Sequence, residues 1–305
     1  MNEYGIVYEN VDLKKYTTLG VGGITKYLIE VTSENNLVSL IKYLKDNKIK
    51  YFILGNGSNV ILDDSYFDGV IIRVNKLNKI EVNDDLVTAS CGVKLGFLNN
   101  IALQHGLVSL YFASLIPGEV GASVMGNAGC YNHSLMEYVQ SVKVLTKDGN
   151  IINISKGEID YGYRYTSLKG NIILSVTFKL EKGDPLETLK LIKENNDKRM
   201  ASQPLDTKNV GSIFKNPEGF SAGKLIDDLG LKGYHINDAY VSEKHANFIV
   251  NKGNATYLDI LNLINYIKLK VFEHYKISLE VEPKIISWSN LWKSKSHSTH
   301  YRCKW

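Results

Sequence analysis

Residues 51–59 have the sequence Tyr-Phe-Ile-Leu-Gly-Asn-Gly-Ser-Asn, an apolar run that leads directly into a glycine-rich loop. Glycine permits positive φ and lets a ligand approach the main chain, and consecutive N–H groups in such a turn form a concavity suited to phosphate. Upstream, residues 27–31 alternate apolar with polar side chains, and Ser33 precedes apolar residues at helical spacing. The pattern predicts a strand–helix–strand unit whose ligand loop follows the carboxyl end of a strand.

A second glycine-dense stretch occupies residues 117–129, and a polar cluster follows at residues 211–217. One glycine loop alone is a weak signal, because glycines also occur in ordinary turns. Two loops together with the polar cluster indicate a large phosphate-bearing ligand with chemistry beside it. The first loop is not a dinucleotide GxGxxG motif, because the apolar run 60–62 follows it instead of a helix.

Length and composition limit the class of protein. A chain of 305 residues with 44% hydrophobic and 22% charged residues is typical of a soluble protein with about two or three domains. No apolar run approaches the ~20 residues that span a bilayer, and the N-terminus lacks the features of a secretory signal. The three cysteines are widely spaced and form neither a metal motif nor a disulfide framework. We therefore expect a cytoplasmic protein without a metal site.

The net charge of +4 comes from the C-terminus, where residues 288–305 carry four basic side chains and no acidic ones. Without those four, the chain has 32 basic and 32 acidic side chains. The folded part therefore offers no argument for nucleic-acid binding. We expect residues 288–305 to be a poorly ordered tail, with a docking segment as the alternative.

A coarse secondary-structure prediction gives a strand-rich first half and an α+β second half, with a boundary near Gly183. The Asp148-Gly149 dipeptide between two β-type runs predicts a hairpin. Predicted strands cover residues 51–54, 70–74, 79–82, 86–89, 139–145, 151–154, 172–180, 239–241, 248–250 and 279–286. Predicted helices cover residues 94–105, 186–200, 222–229 and 255–274.

Several short motifs occur in a fixed order: VGG at 21–23, LGNGSN at 54–59, IPG at 116–118, NAG at 127–129, YRY at 163–165, GSIFKNP at 211–217, AGKLI at 222–226, GLKG at 230–233 and KHANF at 244–248. In this order they resemble the UDP-N-acetylenolpyruvoylglucosamine reductases, flavoenzymes of bacterial cell-wall synthesis, over about residues 16–286. The resemblance implies an α+β protein with an FAD-binding fold of the PCMH type and a substrate domain. We place the two FAD-binding subdomains at residues 1–75 and 76–183 and the substrate domain at 184–287.

The resemblance also implies FAD as the cofactor, NADPH as the hydride donor and an enolpyruvyl UDP-sugar as the substrate. The expected FAD-binding residues belong to the two glycine loops: Gly55, Asn56, Gly57, Ser58, Asn59, Pro117, Gly118, Gly121, Ala122, Ser123, Asn127 and Ala128. The second loop departs from the family pattern at Ala122, Ser123 and Gly126. The short spacing between residues 172 and 183 predicts the type without the long tyrosine-loop insertion.

Three residues match the family's catalytic positions. Ser212 would protonate the substrate carbon after hydride transfer; a serine after glycine taken alone favours a turn or cap, whereas the surrounding motif favours catalysis. Arg164 would bind a carboxylate through paired hydrogen bonds, and the alternative is a surface arginine among tyrosines. Glu282 would orient the serine or a water or share a proton with the enolate, and the alternative is a solvated strand face. Glu280 lies on the same face of the strand, and Pro283 and Lys284 depart from the family.

Six further residues match substrate-binding positions of the family: Tyr163, Lys215, Asn216, Lys244, His245 and Asn247. His245 could act as an acid or base near neutral pH, but a structural role between two strands is the stronger interpretation. We expect a monomer without nucleic-acid or membrane partners. The rival hypotheses are another oxidoreductase on the same flavin fold and a homologue that binds FAD or a nucleotide without catalysis.

Overall fold

A four-stranded sheet with one long helix forms the first unit of the computed structural model, which describes residues 1–289. Its elements are β1 (Gly5–Asp12), β2 (Ile24–Val31), α1 (Glu34–Asp46), β3 (Tyr51–Leu54), β4 (Val60–Leu62) and β5 (Phe67–Arg73). The strand order is β1-β2-β5-β3, and β5 is parallel to both β2 and β3. The predicted strand–helix–strand unit is confirmed, but the later strand β5 lies between its two strands.

Helix α1 begins where the sequence predicts. The Ser33 hydroxyl accepts a hydrogen bond from the Asn36 N–H at 3.1 Å, which satisfies one of the unpaired donors of the first turn. The side chains at helical spacing are all buried against the sheet: Leu37, Leu40, Ile41 and Leu44. Each such burial contributes about 1.5–3 kcal/mol, so this face fixes α1 on the sheet that carries the first glycine loop.

The second unit is built on a five-stranded antiparallel sheet with the order β11-β10-β14-β7-β6. The elements of this unit are β6 (Ile80–Asn83), β7 (Leu86–Ser90), α2 (Leu95–Gln104), α3 (Val120–Met125), β8 (Gly129–Cys130), β9 (His133–Ser134), α4 (Leu135–Tyr138), β10 (Val139–Leu145), β11 (Ile151–Ser155), β12 (Tyr161–Gly162), β13 (Tyr165–Thr166) and β14 (Ile172–Lys179). The predicted hairpin joins β10 to β11, with Gly149 at a φ of 90°. Neither β1 nor the short helix α3 was predicted from the sequence.

The first two units share one hydrophobic core. Buried residues of α1 such as Leu40 belong to the same cluster as Leu98 of α2 and Val142 of β10. A division near residue 75 therefore separates the two sheets, but it does not separate two hydrophobic cores. The bounds 1–75 and 76–183 remain a proposal about subdomains.

The third unit contains a small antiparallel sheet of order β15-β16-β17 packed with two helices. Its elements, after the long helix α5 (Pro185–Ser202), are α6 (Ala222–Asp228), β15 (His235–Ile236), β16 (Ala239–Val241), β17 (Ile249–Asn251), α7 (Tyr257–Tyr275) and β18 (Lys284–Ile286). Thr256 and Asp259 form a capping box at the start of α7. This helix buries Ile260, Leu263, Ile264, Ile267 and Val271 in a core that also includes Leu19, Val21 and Ile61 of the first unit.

The end of the described chain returns to the first unit. Strand β18 pairs in parallel with β4, with Lys284 opposite Val60. The predicted strand over residues 279–286 is therefore shorter than expected, and Val281 forms only an isolated bridge with Phe214. No helix within residues 1–289 combines the length and the apolar character that crossing a membrane requires.

One residue assigned to the tail belongs to the fold instead. Trp288 is 5% exposed and stacks on Phe67, with ring centroids 4.2 Å apart. Its indole N–H donates to the Asp63 carbonyl at 3.1 Å. The aromatic side chain packs into a satellite core, which moves the expected boundary beyond residue 288. The remainder of the expected tail, residues 290–305, lies outside the described residues.

Candidate active site

The first glycine loop presents unpaired main-chain donors. Gly57 has a φ of 68°, and a Cβ at this position would lie 2.1 Å from the Tyr16 carbonyl oxygen, so only glycine fits. The Asn56 amide donates to the Pro117 carbonyl at 3.1 Å, and the Ser58 hydroxyl donates to the same oxygen. Within residues 1–289, the backbone N–H groups of Asn56, Gly57 and Ser58 have no hydrogen-bond acceptor. These three N–H groups suit an anionic ligand.

Arg73 adds a cation to this loop, and the sequence analysis did not identify it. Its Nη1 donates to the Gly55 carbonyl at 2.7 Å, and its guanidinium lies over the Tyr16 ring at 5.4 Å from the centroid. Arg73 is the last residue of β5, and it pairs with Leu54 at the end of β3. A basic residue at the end of the neighbouring parallel strand was the signal that could have indicated it.

The second glycine loop contributes a close-fitting shape to the site rather than free backbone N–H donors. Its N–H groups are bonded within the chain at Gly118, Gly121, Ser123, Asn127 and Ala128. A Cβ on Gly118 would lie 2.3 Å from the Ser123 Oγ, and a Cβ on Gly121 would lie 2.8 Å from the Cys91 Cβ. Close packing therefore requires glycine at position 121, whereas at position 118 the Ser123 hydroxyl could rotate away. Ala122 is exposed in this loop and leaves its surface open to a ligand.

Asn127 has a structural position that the sequence did not reveal. The residue is 3% exposed, its amide donates to the Gly162 carbonyl at 2.9 Å, and its Oδ1 accepts from the Met136 N–H at 3.1 Å. Both polar atoms are thus occupied inside the protein. Asn127 fixes the segment that leads to Arg164, and a contact of this residue with FAD stays a prediction.

Thr18 connects the glycine loop to the third unit. Its N–H donates to the Gly57 carbonyl at 3.1 Å, while its hydroxyl donates to the Asn209 carbonyl at 2.6 Å. The Asn209 side chain in turn accepts from the Gly211 N–H at 2.9 Å. The chain thereby brings the loop at residues 55–59 and the segment that begins at Ser212 into one site.

Ser212 lies at the start of an extended segment held from both sides. The Ile213 N–H donates to the Asn247 carbonyl at 2.9 Å, and the Glu282 N–H donates to the Ile213 carbonyl at 2.9 Å. Ser212 itself forms a bridge with Phe248 and is half-buried. Its hydroxyl has no hydrogen-bond partner among residues 1–289, so it can donate to a ligand.

The Arg164 guanidinium crosses from the second unit to the third. Its Nε donates to Glu282 Oε1 at 2.8 Å, and its Nη2 donates to the Gly129 carbonyl at 3.0 Å. Arg164 has a φ of 57°, an uncommon conformation for a residue with a side chain. Glu280 pairs instead with Lys215 at 2.6 Å, and its side chain is 71% exposed. The structure thus distinguishes the two carboxylates that the sequence pattern left open.

Only some of the expected substrate-binding residues come together. The Tyr163 hydroxyl accepts from the Asn216 N–H at 3.5 Å, and Lys215 immediately precedes Asn216 in the chain. Asn247 is 4% exposed and is occupied by two hydrogen bonds to the Phe214 backbone. Lys244 Nζ contacts the Met200 carbonyl at the end of α5. Asn247 therefore holds the Phe214 backbone, whereas Lys244 is exposed and its ammonium keeps further N–H donors, so substrate binding by Lys244 stays a prediction.

His245 is half-buried beside α6, where a Cβ on Gly223 would lie 3.1 Å from its ring. Burial lowers the pKa of His245, and the nearby charge of Lys232 acts in the same direction. Its Nδ1 accepts from the Asn247 N–H at 3.2 Å, which requires the neutral ring at that atom. These contacts favour the structural interpretation over a role as a general acid.

Glu119 is a second residue that the sequence analysis passed over. It is 1% exposed, and its Oε2 has no hydrogen-bond partner in the described chain. Burial raises the pKa of the Glu119 carboxyl to about 7, although the charges of Arg73 and Lys94 oppose that shift. The position was inside a quoted motif, but a glutamate in a loop is usually exposed, so its burial gave no sequence signal.

The hydrogen-bond donors and charged groups of this site fit a flavin dinucleotide and do not fit a metal ion. The first loop provides free N–H groups and the Arg73 guanidinium, which match a diphosphate. Residues 1–289 contain no cluster of three His, Cys, Asp or Glu side chains that could hold a metal ion. The chemistry at this site thus involves anion binding next to a free hydroxyl.

Comparisons with protein families agree with this chemistry. Residues 25–155 match the model of an FAD-binding domain, and residues 203–286 match that of the C-terminal domain of UDP-N-acetylenolpyruvoylglucosamine reductase. The two matched segments contain the glycine loops and the Ser212 segment, respectively. They agree with the FAD-binding and substrate domains that the sequence analysis predicted.

Individual relatives extend the similarity over almost the whole chain. The UDP-N-acetylenolpyruvoylglucosamine reductase of Caldanaerobacter subterraneus subsp. tengcongensis is 41% identical over 284 residues, which cover 92% of this chain and 94% of that protein. The same reductase of Clostridium botulinum is 43% identical over 281 residues, which cover 91% and 92%. The crystal structure of the reductase from Thermus caldophilus superimposes with a TM-score of 0.79 at 33% identity, over 92% of this chain and 100% of that one. The chain belongs to the UDP-N-acetylenolpyruvoylglucosamine reductase family.

Proposed function

We propose that this chain reduces the enolpyruvyl group of UDP-N-acetylglucosamine enolpyruvate to give UDP-N-acetylmuramate, a step of peptidoglycan synthesis. NADPH is the electron donor in this proposal. FAD, when bound between the two glycine loops, supplies the hydride. The observation that carries the proposal is the pair of Thr18 hydrogen bonds, which join the anion-binding loop at Gly57 to the Asn209 carbonyl, three residues before Ser212.

Ser212 is the proposed proton donor. A serine hydroxyl is a weak acid and transfers its proton only to a strongly basic centre held beside it. Hydride addition to the terminal vinyl carbon creates such a centre at the substrate carbon next to the carboxylate. The extended segment at residues 212–215 is bonded on one side to Asn247 and on the other to Glu282, which gives the hydroxyl a fixed position.

Arg164 stabilises the negative charge that develops on the substrate in this proposal. A guanidinium has five N–H donors, and Arg164 uses one for Glu282 and one for Gly129, so three remain for a substrate carboxylate. Glu282 holds the guanidinium by accepting from its Nε. We assign Glu282 as a positioning residue whose role is exerted through Arg164.

The nucleotide diphosphate of the substrate meets Lys215, Asn216 and Tyr163 in this proposal. This is supported by their position in the chain directly after Ser212, where Lys215 is paired with Glu280 and the Asn216 N–H donates to the Tyr163 hydroxyl. We further propose the monomeric, cytoplasmic, short form of the reductase, with the substrate domain at residues 184–287. The short connection between β14 and α5 supports the short form, because it contains no inserted loop.

Anaerobic absorbance spectroscopy tests the proposal on the purified protein. We expect a flavin band that NADPH bleaches and that the enolpyruvyl UDP-sugar then restores. An oxidoreductase for another substrate would be bleached by NADPH but not restored by this sugar. A non-catalytic homologue would bind FAD without being bleached.

A further inference from the structure

Glu119 directs a buried, unpartnered carboxylate at the first glycine loop. It immediately precedes helix α3, and its Oε2 would lie 3.0 Å from a Cβ placed on Gly55. Gly55 opens the loop whose N–H groups are proposed to hold the FAD diphosphate. The carboxyl and the expected diphosphate therefore share one wall of the site, and the mechanism above gives the carboxyl no role.

Three neighbouring side chains surround this carboxyl. Arg73 approaches from β5, Lys94 from the start of α2 and Cys91 from the end of β7. Glu119 Oε2 accepts no hydrogen bond from any of them in the described chain, and the Arg73 Nη1 is occupied by the Gly55 carbonyl. Burial raises the pKa of the Cys91 thiol to about 12, so this thiol stays neutral near pH 7. The ionised form of Glu119 therefore lacks a direct partner.

An ionised Glu119 and the FAD diphosphate would repel each other at this wall of the site. A buried carboxylate without a hydrogen bond is costly, and a nearby like charge further favours the neutral form of a carboxyl. A protonated carboxyl gains an O–H donor, which is the kind of group that a diphosphate oxygen accepts from. A single proton therefore converts a repulsive neighbour into an additional donor.

We propose that Glu119 is a cofactor-positioning residue that is protonated in the FAD-bound protein, so that binding of the flavin diphosphate takes up one proton from solvent. This inference rests on the proposed function, because it needs FAD in this site. Asn56, Gly57 and Ser58 supply the N–H donors in this arrangement, and Glu119 supplies an O–H donor from the opposite loop.

The inference predicts how FAD affinity depends on pH. Glu119 titrates near pH 7 in the FAD-free protein, and below that pH it is already neutral and ready to donate. Above that pH the protein must take up a proton in order to bind FAD, and the affinity falls as the pH rises. Linkage gives a rise in the Kd for FAD of about thirtyfold between pH 6 and pH 8.5 when the complex stays protonated.

The experiment uses FAD-free protein, reconstituted with FAD and followed by flavin fluorescence from pH 6 to 8.5. Titration calorimetry in two buffers of different ionisation enthalpy counts the protons taken up. We expect about half a proton at pH 7 and about 0.9 at pH 8 for the wild type. The amide of E119Q imitates the neutral acid, so this variant should take up no proton and bind FAD with a Kd that does not change with pH.

E81Q is the matched control, because Glu81 is an exposed carboxylate paired with Lys79 on β6. It should keep the pH dependence of the wild type. A wild-type Kd that is constant with pH, no proton uptake, or an unchanged pH dependence in E119Q would overturn the inference while FAD binding still supports the proposed function. Failure to bind FAD at any pH would refute the proposed function as well. The calorimetry of the wild type decides the matter if E119Q does not fold.

Discussion

Arg164 and Glu282 are 118 residues apart in the sequence, yet their side chains meet at 2.8 Å between Nε and Oε1. Arg164 lies in the turn between β12 and β13, whereas Glu282 lies just before β18. The two side chains are 25% and 16% exposed, so the pair is largely shielded from water. The candidate site is therefore complete only when the substrate domain is docked on the FAD-binding half.

A double-mutant cycle should detect coupling between these two residues. We expect Arg164→Gln and Glu282→Gln to have a coupling energy of about 1–3 kcal/mol in the free energy of unfolding, because removal of either partner leaves the other charge partly buried. Urea unfolding of the two single variants and the double variant provides the measurement. The Lys215–Glu280 pair is the matched control and should couple by less than about 1 kcal/mol, since Glu280 is exposed. Equal coupling energies in both pairs would contradict the conclusion that the Arg164–Glu282 pair is more shielded from water than the Lys215–Glu280 pair.

Ser212→Ala should separate the two half-reactions. We expect flavin reduction by NADPH to remain nearly intact, because the hydroxyl has no partner among residues 1–289 whose loss would disturb the FAD site. Reduction of the enolpyruvyl UDP-sugar should fall by orders of magnitude, since its proton donor is removed. Anaerobic stopped-flow absorbance follows each step, and Ser202→Ala at the exposed end of α5 is the control. A folded variant that loses both steps would refute the assigned role.

Asn247→Ala should destabilise the protein. Its side chain accepts from the Phe214 N–H at 2.9 Å and donates to the Phe214 carbonyl at 2.8 Å. Both backbone groups are buried, so the truncation leaves each without a partner, at a combined cost of about 2–4 kcal/mol. Urea unfolding measures the loss, and Asn254→Ala, at an exposed position before α7, should change stability by less than about 0.5 kcal/mol. A comparable loss in both variants would contradict the structural role.

His245 should make the protein less stable in mild acid. Burial lowers its pKa in the folded state, so the unfolded state binds the proton more tightly. The stability from the neutral ring is fully present above the unfolded pKa of about 6.5 and is lost as the pH falls below it. We expect the wild type to lose more Tm between pH 7.5 and 5.5 than His245→Gln, as measured by calorimetry. The same loss in both proteins would assign the acid sensitivity to another group.

Local patterns in the sequence predicted most of the individual elements. Strands such as β10 and the Asp148-Gly149 hairpin were predicted because alternation and turn chemistry act over a few residues. The position of β5 between β2 and β3 and the pairing of β4 with β18 were not predicted. Strand partners are chosen by contacts between distant segments, which no local period encodes. The same reason explains why Arg73 was missed, because its proximity to Gly55 depends on that strand order.

The candidate site residues also differ in how far the sequence could predict their roles. Ser212 and Arg164 were identified from a motif, and the structure brings both toward Glu282 through the Ile213 carbonyl and an ion pair. Asn127 and Asn247 belong to equally recognisable motifs, but their amides are occupied by backbone groups. A recognisable motif contains both residues that bind the ligand and residues that hold the loop, and the sequence does not distinguish the two classes. Only burial and hydrogen bonds separate the two classes.

The parallel pairing of β4 with β18 has a consequence for biosynthesis. The ribosome delivers Val60–Leu62 early, while their partners Lys284–Ile286 emerge more than 200 residues later. At typical elongation rates the nascent N-terminal half waits on the order of ten seconds or more with this strand edge unpaired. An unpaired strand edge is a template for intermolecular pairing, so β4 is exposed to aggregation until β18 emerges.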